Sequence, residues 1–265
     1  MSRLKNTFTN LKQINKKAFI PFITAGDSGL DNSLKLMFTL VENGADIIEL
    51  GVPFSDPMAD GIVIQKSHER AVAQGVSLKM VLDLVKKFRQ TNTKTPVVLM
   101  GYLNPIEKMG YQNFAKSAKE NGVDGVLIVD MPPEEATELH QELQNNNIDL
   151  IFLIAPTTSD KRLKKISDIA SGFVYFVSLK GVTGASNIDV DLVKSQLNHI
   201  KTFVNLPVGV GFGINDSKTA KQLSTVSDGI IVGSAIVKLI EKNQSQHDKM
   251  HQEVSQLVKS ITTNI

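Results

Sequence analysis

Glu49 and Asp60 are the two residues whose surroundings point most directly to chemistry. Glu49 sits near the carboxyl end of a short apolar stretch, residues 46–50 (DIIEL), that reads as a strand. Side chains alternate faces along a strand, so Glu49 shares a face with Ile47 while Ile48 and Leu50 share the other. A carboxylate in that company is costly to bury unless it is used or neutralised. Residues 51–61 (GVPFSDPMADG) follow, with two prolines, two glycines and the acids Asp56 and Asp60. Such a loop brings an acid against a strand end without committing it to a helix face, and a helical pattern starts only near Ile62. Two carboxyl groups in one pocket are the raw material of acid–base catalysis. The residues leave a plainer account open, in which Glu49 pairs with a lysine and Asp56 or Asp60 caps the next helix.

A second group of residues suits an anion. Gly211-Phe212-Gly213 and Gly233-Ser234 each stand between a strand and a helix start. Glycine lets main-chain N–H groups approach an anion closely, and a helix N-terminus offers unpaired donors and a favourable dipole. Ser234 adds a hydroxyl, and Gly184 in the GVTG segment is placed to close over the same anion.

Short apolar runs at 18–24, 46–50, 96–101, 124–129, 149–154, 173–178, 207–210 and 229–232 read as eight strands. Helical periodicity fills 31–43, 62–74, 77–90, 111–121, 133–145, 159–169, 189–201, 216–223, 235–242 and 247–261, behind a polar leading helix. Gly44 and Gly122 suit helix C-termini, Ser77 suits an N-cap, and Pro133 suits a first turn. Strands that hardly alternate, separated by amphipathic helices, describe a parallel sheet buried on both faces. Eight such units suit a closed (β/α)8 TIM barrel, a single domain over residues 1–265, better than an open doubly wound sheet. Extra helices are expected at the N-terminus, after the second strand and at the C-terminus. In a barrel the functional loops lie at the carboxyl ends of the strands. Glu49, Asp60, Asp130, the 179–187 loop (LKGVTGASN) and both glycine pairs therefore converge on one mouth.

Composition narrows the class. The chain has 265 residues, 42% hydrophobic and 21% charged, enough apolar material for a full core. The net charge of +2 is scattered, which argues against nucleic acid or membrane partners. The basic run KRLKK at 161–165 reads as the wet face of a helix. No cysteine is present, which excludes disulfide and thiol chemistry and is compatible with a reducing cytoplasm. No signal peptide or membrane-length apolar segment is recognisable, so a cytoplasmic location is expected. His247 and His251 are four apart but have no third ligand nearby, so a solvated helix face is expected there and no metal.

From residues 21–27 (PFITAGD) to 233–240 (GSAIVKLI) the chain resembles the α subunit of tryptophan synthase. The most specific segments are ELGVPFSDPMADG at 49–61, GVTGA at 181–185 and GFGI at 211–214. The resemblance implies a (β/α)8 lyase that cleaves indole-3-glycerol phosphate to indole and glyceraldehyde 3-phosphate. Indole would pass through a tunnel to a β subunit carrying pyridoxal phosphate, in an α2β2 heterotetramer, with no cofactor on this chain. It further implies that Asp60 bonds the indole N–H and that Glu49 manages protons at ring carbon C3 and at the glycerol hydroxyl. Phe22, Leu127 and Tyr175 match the wall of the indole pocket, joined by Ile64, Met100 and Phe212. Thr183 matches a lid threonine that bonds Asp60 on closure, and Gly184, Gly213, Gly233 and Ser234 match the phosphate cradle. Pro53 and Asp56 match a loop face that meets the β subunit. The chain departs from the pattern at Ile62-Val63, where the family commonly has proline after the glycine, and at Leu179-Lys180, ahead of GVTG. Two rivals remain: another phosphate-binding barrel enzyme, which would need different acids or a catalytic lysine, and a non-catalytic activator subunit.

Overall fold

Apolar runs too short to be helices become strands that pair in chain order, and the last closes on the first. The computed structural model describes residues 2–177, 189–211 and 213–265. Eight parallel strands, β1 (Ala18–Thr24), β2 (Ile48–Gly51), β3 (Val97–Gly101), β4 (Gly125–Ile128), β5 (Asp149–Ile154), β6 (Val174–Val177), β7 (Val208–Gly211) and β8 (Gly229–Val232), form a closed barrel in sequence order. Around it, in chain order, run α1 (Arg3–Gln13), α2 (Leu30–Glu42), α3 (Ile62–Ala73), α4 (Leu78–Arg89), α5 (Leu103–Met109) and α6 (Tyr111–Asn121). They continue with α7 (Thr137–Asn145), α8 (Asp160–Ile169), α9 (Val190–Lys201), α10 (Ser217–Ser224), α11 (Ser234–Lys242) and α12 (His247–Thr262). Among the described residues no helix is long and apolar enough to cross a membrane.

Alternation along each strand sorts side chains into two cores. Ile20, Ile47, Val98, Leu127, Ile151, Phe173 and Ile231 fill the barrel interior, closed from below by Leu4 and Phe8 of α1. The Phe8 and Phe173 rings lie 5.6 Å apart. Ile48, Leu50, Val97 and Leu99 face outward and pack with Leu36, Val81, Val85 and Phe88 of the helices. The extra helices are thus a floor (α1), a second helix after β2 (α3 then α4), and a C-terminal helix (α12) packed on α2, α10 and α11.

The amino-terminal end of the barrel carries a repeated clasp. Ahead of β2, β4, β6 and β8 stand Asp46, Asp124, Ser171 and Asp228. Each accepts, through its side chain, the backbone N–H of the preceding odd strand: Phe19 (2.8 Å), Val97 (2.8 Å), Leu150 (3.0 Å) and Val208 (2.9 Å). The backbone N–H of each clasp residue returns a bond to that same residue's carbonyl, at 2.9–3.0 Å. Strand-end amides that would otherwise be orphaned are thereby satisfied in pairs. Asp124 also takes Arg3 (2.8 Å) and Arg89 (2.7 Å), tying α1 and α4 to the same point.

Several sequence expectations are corrected. β2 starts at Ile48, because Asp46 is occupied by its clasp. The seventh helix starts at Thr137 and not at 133, since Pro132, Pro133 and Glu134 form a turn closed by Glu135 N–H to the Pro132 carbonyl (3.1 Å). That turn presents Glu134 to Arg162 and Lys165 of the basic run, at 3.1 and 3.4 Å. Ser77 holds the N-cap position of α4 but makes no side-chain capping bond. His247 is exposed, whereas His251 is half-buried and bonds Thr39 (2.8 Å) and Asn32 (3.0 Å) of α2. Among the described residues no group of acids and histidines could hold a metal.

Replacing Asp124 with alanine leaves Arg89 and the Val97 amide without their buried acceptor. Urea unfolding should show a loss of about 3 kcal/mol with an unchanged slope. A loss below about 1 kcal/mol would mean that the clasp is energetically idle.

Candidate active site

The mouth is built from the carboxyl ends of the strands, and Glu49 is its most constrained residue. The register sets Glu49 between Phe22 of β1 and Val98 of β3. Like Ile47, it points into the barrel. It is 1% exposed, and its Oε1 has no hydrogen-bond partner among the described residues. No described lysine or arginine pairs with it. Burial, and secondarily the negative charge of Asp60, push its carboxyl up to about 8. The lysine-pair account therefore fails. Helix capping fails too, because the N-cap of α3 is Gly61, with no side-chain capping bond from Asp56 or Asp60.

Asp60 is held from the side. Tyr102, directly after β3, donates its hydroxyl to Asp60 Oδ2 at 2.8 Å and accepts the Ala59 N–H at 3.0 Å. The Ala59-Asp60 turn is thus pinned to the end of β3. Phe54 stacks on the Tyr102 ring, with centroids 5.1 Å apart. His68 of α3 brings Nε2 to 3.8 Å from the same Oδ2, and its Nδ1 accepts the Phe54 N–H at 3.1 Å. Burial pushes the His68 imidazole down to about 4, so it is neutral near neutral pH and the contact with Asp60 is no ion pair. Burial also raises the Asp60 carboxyl, against the lowering effect of Tyr102. The Tyr102 and Tyr175 phenols both lie above their usual range, through burial and then the facing acids.

The apolar wall divides in two. Phe22 and Ile64 pack with Val237, Val63 and Met100. Met100 also touches the interior cluster, with Leu127 fully buried and Tyr175 beside it. Two backbone positions admit no side chain: a Cβ on Gly51 would lie 2.6 Å from Phe22 Cζ, and one on Gly211 would overlap the Tyr175 hydroxyl. At the anion end, Gly213 takes φ +71°, a conformation that suits glycine, and Gly233 is the N-cap of α11, which starts at Ser234. No side chain caps that helix, and Gly233 lies against Phe22. Thr183, Gly184 and Phe212 lie outside the described residues, as does Leu179-Lys180.

On the loop after β2, Pro53 is buried whereas Asp56 is exposed and accepts the Ser55 hydroxyl at 2.7 Å. The exposed apolar surface there belongs to Met58 (79%) and Ile62 (71%), which sequence reasoning passed over. Tyr102 and His68 were missed as well. Tyr102 carried a usable signal, a polar ring immediately after a strand, the position that singled out Asp130. Asp130 itself accepts the Leu103 N–H at 2.9 Å and holds the start of α5. Concavities of about 450 and 730 Å³ open at the amino-terminal end and include neither acid, so size alone would misplace the chemistry.

Comparison with known proteins gives the family and bears out the fold. The family described as "Tryptophan synthase alpha chain" matches residues 8–265. The tryptophan synthase alpha chain of Ruthia magnifica is 60% identical, covering 100% of both chains. That of Paraburkholderia phytofirmans is 58% identical, over 91% of this chain and 90% of its own. A crystal structure of tryptophan synthase subunit alpha from Legionella pneumophila superposes with TM-score 0.94 at 42% identity, covering 100% of this chain and 98% of that one. A structure of the tryptophan synthase a2b2 complex from Pyrococcus furiosus matches with TM-score 0.85 at 39% identity, over 93% and 98%.

The burial of Glu49 has a measurable sign. Its folded carboxyl titrates near 8 and its unfolded one near 4.5, so the folded state binds the proton more tightly. Stability falls as pH rises between those values, by a few kcal/mol in all. Glu49→Gln should raise the urea midpoint over the parent at pH 9, with the difference gone near pH 4. A difference that does not depend on pH would overturn the assignment.

Proposed function

The chain belongs to the tryptophan synthase alpha chain family and is a lyase of tryptophan biosynthesis acting on indole-3-glycerol phosphate; from that premise we propose how its residues divide the reaction. The observation that carries the reading is a fully buried carboxyl, Glu49, whose Oε1 has no hydrogen-bond partner among the described residues, facing a second acid clamped by Tyr102. Near neutral pH Glu49 keeps its proton and is poised as an acid.

Glu49 delivers that proton to indole C3, giving a ring cation whose positive charge is shared with the indole nitrogen. Asp60 opposes this charge and accepts the indole N–H through Oδ1, its Oδ2 being taken by Tyr102. Glu49, now a carboxylate, removes the proton from the glycerol hydroxyl beside the C3 bond. That carbon–oxygen bond becomes the aldehyde, the carbon–carbon bond breaks, and its electron pair returns to the ring. One proton leaves Glu49 and one comes back, and the products are indole and glyceraldehyde 3-phosphate.

Phe22, Ile64, Met100, Leu127, Tyr175 and Phe212 enclose the indole ring. Gly184, Gly213, Gly233 and Ser234 cradle the phosphate, supported by the uncapped start of α11. Thr183 closes on Asp60 as the lid. The partner is a β subunit, in an α2β2 assembly, with pyridoxal phosphate on β and no cofactor here. Asp56, with the exposed Met58 and Ile62, offers the docking face; Pro53 shapes the loop from its buried side. We place the chain in the cytoplasm as one domain, consistent with the absence of cysteine.

Indole release from indole-3-glycerol phosphate tests the reading. Weak activity alone, a large rise with β subunit, and a fall of at least about 100-fold in both Glu49→Gln and Asp60→Asn are expected. Phosphate-ligand binding with no indole under any condition would favour an activator or a different barrel chemistry.

A further inference from the structure

His68 meets the mouth with one nitrogen already committed. The Phe54 N–H donates to Nδ1 at 3.1 Å, and a backbone amide always carries its hydrogen, so Nδ1 must present a lone pair. In a neutral imidazole the proton is then on Nε2, which faces Asp60 Oδ2 at 3.8 Å. That separation is about 0.6 Å beyond a hydrogen bond, within reach of a small rotation of the carboxylate.

The helix that carries this ring is fixed independently of it. Ser67 bonds Thr24 of β1 at 2.6 Å and the Ile64 carbonyl at 2.7 Å. Arg70 forms a fork on the buried Asp27 and reaches Glu241 at 3.1 Å. His68 therefore stands on a rigid base between the loop backbone and the acid.

We propose that His68 is a positioning residue for Asp60, a neutral donor locked in one tautomer that joins the Phe54 backbone to the acid and steers its Oδ1 towards the substrate. This rests on the reading of Asp60 as the acid that faces the indole N–H. Neutrality is essential to the arrangement. A protonated imidazole would cancel the negative charge that Asp60 must keep to oppose the ring cation, whereas an N–H dipole orients the carboxylate and leaves its charge intact. Among the described residues, the titratable groups that face Asp60 are Tyr102 after β3, Glu49 on β2, Tyr175 on β6 and His68 on α3.

Two substitutions separate the two nitrogens. Asparagine places an acceptor near Nδ1 and nothing at Nε2; glutamine places an amide donor near Nε2. With indole-3-glycerol phosphate and saturating β subunit, His68→Asn should lower kcat about tenfold with KM within about twofold, since the phosphate is held across the barrel. His68→Gln should keep kcat within about threefold. The acid limb of the kcat profile should move to higher pH in His68→Asn alone, because the Asp60 anion loses the dipole that favours it. In the unaltered protein, nitrogen NMR of selectively labelled histidine should show His68 protonated on Nε2 only from pH 6 to 8.

An Nδ1-protonated or imidazolium signal would overturn the proposal without any variant. Equal losses in the two variants would overturn it too, as would an unchanged His68→Asn. If Asp60→Asn keeps full activity, the reading of Asp60 falls and this proposal with it. If Asp60→Asn is inactive and His68→Asn unchanged, only the proposal falls.

Discussion

Glu49 is surrounded by Ile47, Val98 and Phe22, and this forces its carboxyl to hold a proton at a pH where free glutamate has lost it. Much of the mouth can be understood as an accommodation to that. Water and cations are kept from the acid by the interior side chains, and Gly51 and Gly211 give up their own side chains so that Phe22 and Tyr175 can approach. A second carboxyl so close would ordinarily share the same fate. Burial raises the Asp60 carboxyl as well, and the Tyr102 hydroxyl that donates to its Oδ2 works against that rise. Both carboxyls are pushed up by burial, but among the described residues only Asp60 has a donor that favours its anion.

The distribution of acids along the barrel axis follows the same logic. Asp46, Asp124 and Asp228 serve backbone amides at the amino-terminal end, where they have structural work and no cavity of the mouth to face. Glu49 and Asp60 stand at the carboxyl end with fewer obligations. Asp130 lies at that end too, yet behaves like the first group by holding the start of α5. The hydrogen-bond partner therefore separates the two groups of acids more sharply than position along a strand does.

Much of this was legible in the residues. β1, β5 and β8 occupy the runs expected, because continuous apolar stretches bounded by turn residues leave few alternatives. Glu49 stood out because charge in an apolar strand needs a reason. The start of α7 was misread because Pro133 suits a first helical turn, whereas residues 132–135 close a separate turn and the helix begins only at Thr137. Tyr102 and His68 were passed over for a different reason. Their significance arises between elements: a phenol after β3 meets a loop from β2, and an imidazole on α3 meets that loop's backbone. Hydrophobic periodicity cannot register such encounters. The same holds for Met58 and Ile62, whose exposure depends on how the loop lies.

The clasp ahead of every even strand has a consequence for how the chain is built. Each clasp needs only the strand just before it, so the barrel divides naturally into four strand–helix–strand quarters, each able to set its own pairing as soon as its second strand emerges. A slip by one residue would break both bonds of a clasp at once and turn interior side chains outward. Alignment is thus settled locally, at the end of the barrel remote from chemistry. The opposite rim, where Glu49 ends its strand and Asp60 sits in the loop that follows, is left comparatively free to vary without disturbing the order in which the staves are laid.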